Sequence, residues 1–209
     1  MTQPPSSRAR WAAALVAASA WIGIAVQFDA SLRTVGSIAG TAWTMALFFT
    51  VIANLATAIL FTGIAWGKES YAQPVVTGGA TVIMLLVGIT YALLLRGLIE
   101  LSGGAKLADF LLHSVTPVLV PLFWLAFAPK GLLRWRDPWL WAAAPLLYLP
   151  YALARGAIGG RYAYPFIDVA RIGGAQVALN ALGLAVAFVG ASFALVALDH
   201  ELGRRLRAR

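Results

Sequence analysis

Six long apolar runs, separated by short polar connections, decide what this chain can become: Trp11–Phe28, Trp43–Ala65, Val75–Leu95, Ala108–Ala128, Trp139–Ala154 and Val177–Leu198. Each approaches the roughly 20 residues that carry a helix across a bilayer core. None alternates with the period of two that a membrane barrel strand requires. Of the 209 residues, 61% are hydrophobic and 11% are Asp, Glu, Lys or Arg. A soluble domain carries about twice that charged share. The expectation is an all-α polytopic membrane protein, a single transmembrane domain of six helices over residues 1–209. The first run follows Arg8 and Arg10 and continues through Trp21 to Phe28. That length reads as a retained anchor, not a signal peptide.

The net charge of +8 belongs to the membrane interface. Its largest basic groups, Arg8 with Arg10, Lys130 with Arg134 and Arg136, and Arg204, Arg205, Arg207 and Arg209, all flank apolar runs. With both termini in the cytoplasm these residues and Lys68 lie inside, against Arg33, Arg96, Lys106, Arg155, Arg161 and Arg171 outside. Lys and Arg collect on the cytoplasmic side, so this orientation is the expected one. No interleaved basic and aromatic surface exists to bind nucleic acid, and none is expected as a partner. The chain has no Cys, which excludes disulfides, thiolate metal sites and a cysteine nucleophile. With two His, no metal and no cofactor is expected.

Polar side chains inside hydrocarbon need partners or a cavity. In the second run Thr50, Asn54 and Thr57 share one helix face. His113 lies inside the fourth run, four residues before Pro117 and eight before Pro121. Proline removes the helix hydrogen bond to the carbonyl four residues earlier, so a freed carbonyl and a bend are expected beside the imidazole. The second and fourth runs point the same way. At 1.5 Å per residue Thr50 lies ~10 Å past Trp43 and His113 ~8 Å past Ala108, which places them in one layer beneath the outer surface. Asp29, Tyr91, Tyr164 and Asp168 end runs or line a loop on that side.

A hydroxyl, an imidazole and carboxylates in one apolar layer permit nucleophilic acyl transfer. Thr50 attacks, neutral His113 takes its proton, Asp168 or Asp29 orients the ring, and the Asn54 amide donates to the oxyanion. The same layer also suits a transporter or binding protein for a small molecule or lipid. A plain structural bundle is a third reading, with Gly183, Ala187, Gly190 and Ala194 forming a small-residue packing stripe on the last run.

Beside these residues stands a resemblance. The run Phe49-Thr50-Val51-Ile52-Ala53-Asn54, then His113 with Pro117, then Trp124-Leu125-Ala126-Phe127-Ala128-Pro129-Lys130, resembles the androgen-induced-gene family of six-helix membrane proteins. So do Pro145, Tyr148, Tyr151, Arg155 and Gly156, followed by Tyr164-Pro165-Phe166-Ile167-Asp168-Val169. The similarity is to the family's bacterial branch and spans about residues 10 to 198. It implies a bacterial cytoplasmic (inner) membrane. It also implies an intramembrane threonine hydrolase acting on fatty acid esters of hydroxy fatty acids, with Thr50 as nucleophile and His113 as catalytic histidine. Ala53 departs from the family, where bacterial members often carry a hydroxyl residue before the Asn.

Overall fold

The structure is a computed structural model that describes residues 4–208, and every regular element among them is helical. Helix α1 (Ser7–Val35) leads through a tight turn at Gly36 to the short α2 (Ile38–Met45) and then α3 (Phe49–Ala65). Helix α4 (Pro74–Thr90) ends in a π-turn, Tyr91–Leu95. Helix α5 (Gly103–Phe110) passes through a second π-turn, Leu111–Val115, into α6 (Thr116–Phe127). Helix α7 (Asp137–Gly159), the single turn α8 (Val169–Ile172) and the long α9 (Gly174–Arg207) complete the chain.

Four of these stretches are long and apolar enough to cross a membrane: Ser7–Val35, Pro74–Leu95, Gly103–Phe127 and Gly174–Arg207. A fifth is the α2–α3 pair, taken as one span bent by 97°. Helix α7 covers the expected run Trp139–Ala154, but Pro145, Tyr148, Pro150, Tyr151 and Arg155 leave it less apolar than the others. Large apolar side chains face outward all round the bundle, among them Leu15, Leu147 and Val186, each exposed by 65% or more. Outward-facing apolar surface on every side suits lipid as the solvent.

Helix α4 joins two packed groups. On one side α1 lies along α3 and α5, and Val16, Ala17, Phe61, Met84, Val120 and Phe123 close the core with α4 and α6. On the other side α7 lies along α9, and Val82, Trp124, Trp141, Phe188 and Val196 pack together. Polar residues within the helices mostly bond their own backbone. Thr77, Thr81 and Ser192 return their hydroxyls to carbonyls one turn earlier. Ser19 of α1 meets Thr116 of α6 at 2.9 Å, a buried bond across the bundle.

The second expected span, Trp43–Ala65, is corrected by the bend. The helical ladder breaks between Met45 and Phe49 and releases three carbonyls, which α7 satisfies. Tyr148 donates to Leu47 O at 2.8 Å, Tyr151 to Ala46 O at 2.9 Å, and Arg155 Nη2 to Trp43 O at 2.9 Å. The Arg155 guanidinium also lies 3.7 Å from the centre of the Trp43 ring. The break therefore survives in an apolar setting because another helix brings donors to it.

At the opposite end of the molecule, the chain between α6 and α7 is clamped onto α9. The Asp199 carboxylate, fully buried, accepts from the Leu133 N–H at 2.9 Å, and His200 Nε2 meets Leu133 O at 2.7 Å. Gly203 and Gly131 touch backbone to backbone. A Cβ on Gly203 would sit 2.7 Å from Gly131 Cα, and no rotamer change relieves that clash. Gly203→Ala is expected to cost ~1–3 kcal/mol and to lower the thermal unfolding midpoint in detergent. Gly183→Ala, whose Cβ would enter open space, is expected to leave it unchanged. The openness at Gly183 and Gly190 also corrects the expected packing stripe: that face of α9 meets no other helix of the chain.

Candidate active site

Thr50 is the second residue of α3 and so lies at the start of that helix, not partway down a straight span. Its first-turn N–H has no intrahelical acceptor and donates to the Tyr164 hydroxyl at 3.3 Å. Thr50, Tyr148 and Tyr164 all line one cavity. Tyr164 is fixed from two sides, stacked on Phe166 at 5.1 Å and edge-on to Phe48 at 6.0 Å. Burial pushes its phenol up from the ordinary tyrosine range, so the group stays an O–H donor.

These groups line a mostly apolar cavity of about 140 Å³. Val87, Thr90, Pro145, Leu149 and Phe188 are among the other residues of its wall. Helices α4, α7 and α9 form the sides. Thr50 itself is 7% exposed.

His113 sits in the second π-turn, and the turn has a traceable cause. The Thr116 N–H bonds Leu111 O, five residues back, where an α-helix would bond Leu112 O. Continuing the π pattern would require an N–H at position 117 to reach Leu112 O, and Pro117 has none. Leu112 O is thus left over, and Asn54 Nδ2 donates to it at 3.1 Å. The other hydrogen of the same amide goes to Thr50 O at 2.9 Å. Both partners are carbonyls, which settles that the nitrogen faces them. The fully buried Asn54 therefore ties the Thr50 turn to the residue before His113.

That bookkeeping removes Asn54 as an oxyanion donor, because both amide hydrogens are spent. The orienting carboxylate also differs from expectation. Asp109, one turn before His113, places Oδ1 3.0 Å from His113 Nδ1. Its other oxygen accepts from the Tyr91 hydroxyl, and the Tyr91 ring stacks on the imidazole with centroids 4.3 Å apart. Close packing of α4 on α6 supports this sandwich, since a Cβ on Gly88 would lie only 2.9 Å from Pro117 Cβ. The side chains of His113 and Asp109 are 18% and 20% exposed. Asp168 instead caps α8, accepting from the Arg171 N–H at 3.1 Å, and Asp29 pairs with Arg33 at 3.0 Å on the surface.

Of the seven residues singled out from the sequence, six fall into two neighbouring groups with Asn54 as the link or stand apart at the rim. Thr50 and Tyr164 form one group, and His113 and Tyr91 the other, while Asp168 and Asp29 join neither. Among the described residues, no hydrogen bond joins the Thr50 hydroxyl to the His113 ring, and His113 does not line the cavity. The residues missed were Asp109, Tyr148 as a neighbour of Thr50, and Thr90 on the cavity wall. Asp109 had a readable signal, four residues before a histidine on a helix. Among the described residues, no group of three or more His, Asp or Glu gathers in a way that could hold a metal ion. Compared with protein-family models, with curated proteins and with solved structures, the chain matches none of them.

Proposed function

We propose that this chain is an intramembrane threonine-type hydrolase of lipid-like acyl esters. In this reading six helical passes (α1, α2–α3, α4, α5–α6, α7 and α9) cross a bacterial inner membrane, with both termini in the cytoplasm. The site then lies beneath the outer headgroups, where an acyl ester can enter sideways from lipid. The observation that carries the proposal is a histidine whose Nδ1 meets both the backbone carbonyl and the carboxylate of Asp109, linked through one asparagine to a threonine that lines a mostly apolar cavity.

The chemistry follows from which atoms are engaged. Nδ1 bonds the Asp109 backbone carbonyl at 3.2 Å with the Asp109 carboxylate 3.0 Å away, which leaves Nε2 as the basic nitrogen. Thr50 Oγ1 attacks the ester carbonyl carbon while its proton passes to His113 Nε2. The tetrahedral intermediate collapses by breaking the bond to the alcohol oxygen, which leaves with that proton. Water then adds to the acyl-threonine, giving its proton to His113. Collapse releases the fatty acid and returns the proton to Thr50. Contacts of this kind commonly close up only when substrate is bound.

An alkyl fluorophosphonate tests the reading directly. The expected result is one covalent adduct per chain, located by peptide mass on Thr50 and competed by long-chain acyl esters. A labelled protein with the adduct elsewhere, or turnover with no adduct, overturns it. Among the described residues no hydrogen bond joins the Thr50 hydroxyl to the imidazole, and His113 does not line the cavity, which favours the second reading, a carrier or binding protein for a lipid or small molecule. Ligand flux in proteoliposomes with no labelling of Thr50 supports that alternative.

A further inference from the structure

Resting on the hydrolase reading, we infer that Tyr164 is a catalytic residue, the side-chain donor that stabilises the oxyanion formed when Thr50 attacks. The inference comes from accounting for the side-chain donors beside the threonine. Asn54 has spent both amide hydrogens on Thr50 O and Leu112 O. The Tyr148 hydroxyl has spent its proton on Leu47 O, at 2.8 Å. The Thr50 N–H already points at the Tyr164 oxygen. At that oxygen the hydrogen bond seen among the described residues is an accepted one, so the phenol proton is left to give.

Position agrees with the accounting. Tyr164 lines the same cavity as Thr50, and its hydroxyl oxygen lies 3.3 Å from the Thr50 backbone nitrogen. Once Oγ1 is bonded to the carbonyl carbon, the new oxyanion is one bond further on, within reach of the phenol. Stacking on Phe166 and the edge contact with Phe48 hold the ring, so the donor is aimed before substrate arrives. A fixed donor in a water-poor site is where such stabilisation is strongest.

The test compares wild type, Thr50→Ala and Tyr164→Phe in nanodiscs, using a medium-chain p-nitrophenyl ester and an alkyl trifluoromethyl ketone, which mimics the tetrahedral state. Tyr164→Phe is expected to lower kcat by about 10²-fold with KM little changed, and to weaken ketone binding by a similar factor. An unchanged kcat in Tyr164→Phe, with turnover abolished in Thr50→Ala, overturns the role of Tyr164 and leaves the hydrolase reading standing. A wild type that hydrolyses no ester removes both. Should Tyr164→Phe fold poorly, 3,5-difluorotyrosine at position 164 keeps ring and hydroxyl with a more acidic phenol. Turnover is then expected to fall away at lower pH than in wild type, and an unshifted profile overturns the inference.

Discussion

Thr50→Ala and His113→Ala are each expected to reduce turnover of a lipid ester by about 10⁴-fold or more, to the residue left by binding alone. In the proposed mechanism Thr50→Ala removes the atom that bonds to the acyl carbon. The Tyr164 phenol is assigned as a donor, and the hydroxyls of Thr77 and Thr81 bond carbonyls one turn earlier. His113→Ala removes the base that must take the threonine proton, since an unassisted hydroxyl is a poor nucleophile. The double variant is expected to be no worse than either single one, because the two groups act in one step. Both variants should keep the wild-type unfolding midpoint within a few degrees, since Asn54 and not the imidazole ties α3 to the second π-turn. Ester turnover near wild type in either stable variant ends the proposal.

Asp109→Asn is expected to lower turnover by about 10³-fold while the protein stays folded. The carboxylate holds His113 Nδ1 at 3.0 Å and takes the Tyr91 hydroxyl on its other oxygen. An amide can still touch both groups. The backbone carbonyl of residue 109 still keeps a proton on Nδ1, but the amide no longer balances the charge the ring acquires when Thr50 attacks. Asp168→Asn and Asp29→Asn serve as comparisons. The first carboxylate caps a single helical turn and the second meets an arginine on the surface, so neither change should move kcat. Turnover that is indifferent to Asp109→Asn and sensitive to Asp168→Asn reverses the assignment of the orienting carboxylate.

Much of the site's membership was legible in the chain, and its wiring was not. Helical spacing put Thr50 and Asn54 on one face, and both are buried as that face requires. A histidine one turn before a proline announced a freed carbonyl beside the imidazole. The carbonyl that is actually taken belongs to Leu112, because the turn widens to a π pattern before the proline interrupts it. Sequence spacing cannot choose between those two registers. The register goes with Asn54, a residue far away in the chain whose amide takes the released carbonyl.

The carboxylate is the instructive miss. Asp168 and Asp29 flank apolar runs, whereas Asp109 is the second residue of the fourth run, Ala108–Ala128, and was not among the expected site residues. Helix geometry alone pairs positions 109 and 113, one turn apart on the same strip of surface. Asp29 shows how the same spacing spends a carboxylate on an unrelated arginine, Arg33.

The chain by itself determined that its apolar stretches become helices with greasy outward faces. In hydrocarbon a backbone must satisfy its own polar groups, and these runs have no barrel periodicity to do so otherwise. Nothing between Trp43 and Phe49 reads as a breaker, yet the second run turns through 97° there. That bend was decided by α7, whose Tyr148, Tyr151 and Arg155 take the three released carbonyls. It sets Thr50 at the start of a helix, beside Tyr164 and on the wall of a cavity. A helix break in an apolar medium is stable only when distant side chains supply the missing hydrogen bonds, and distance in sequence is what folding removes.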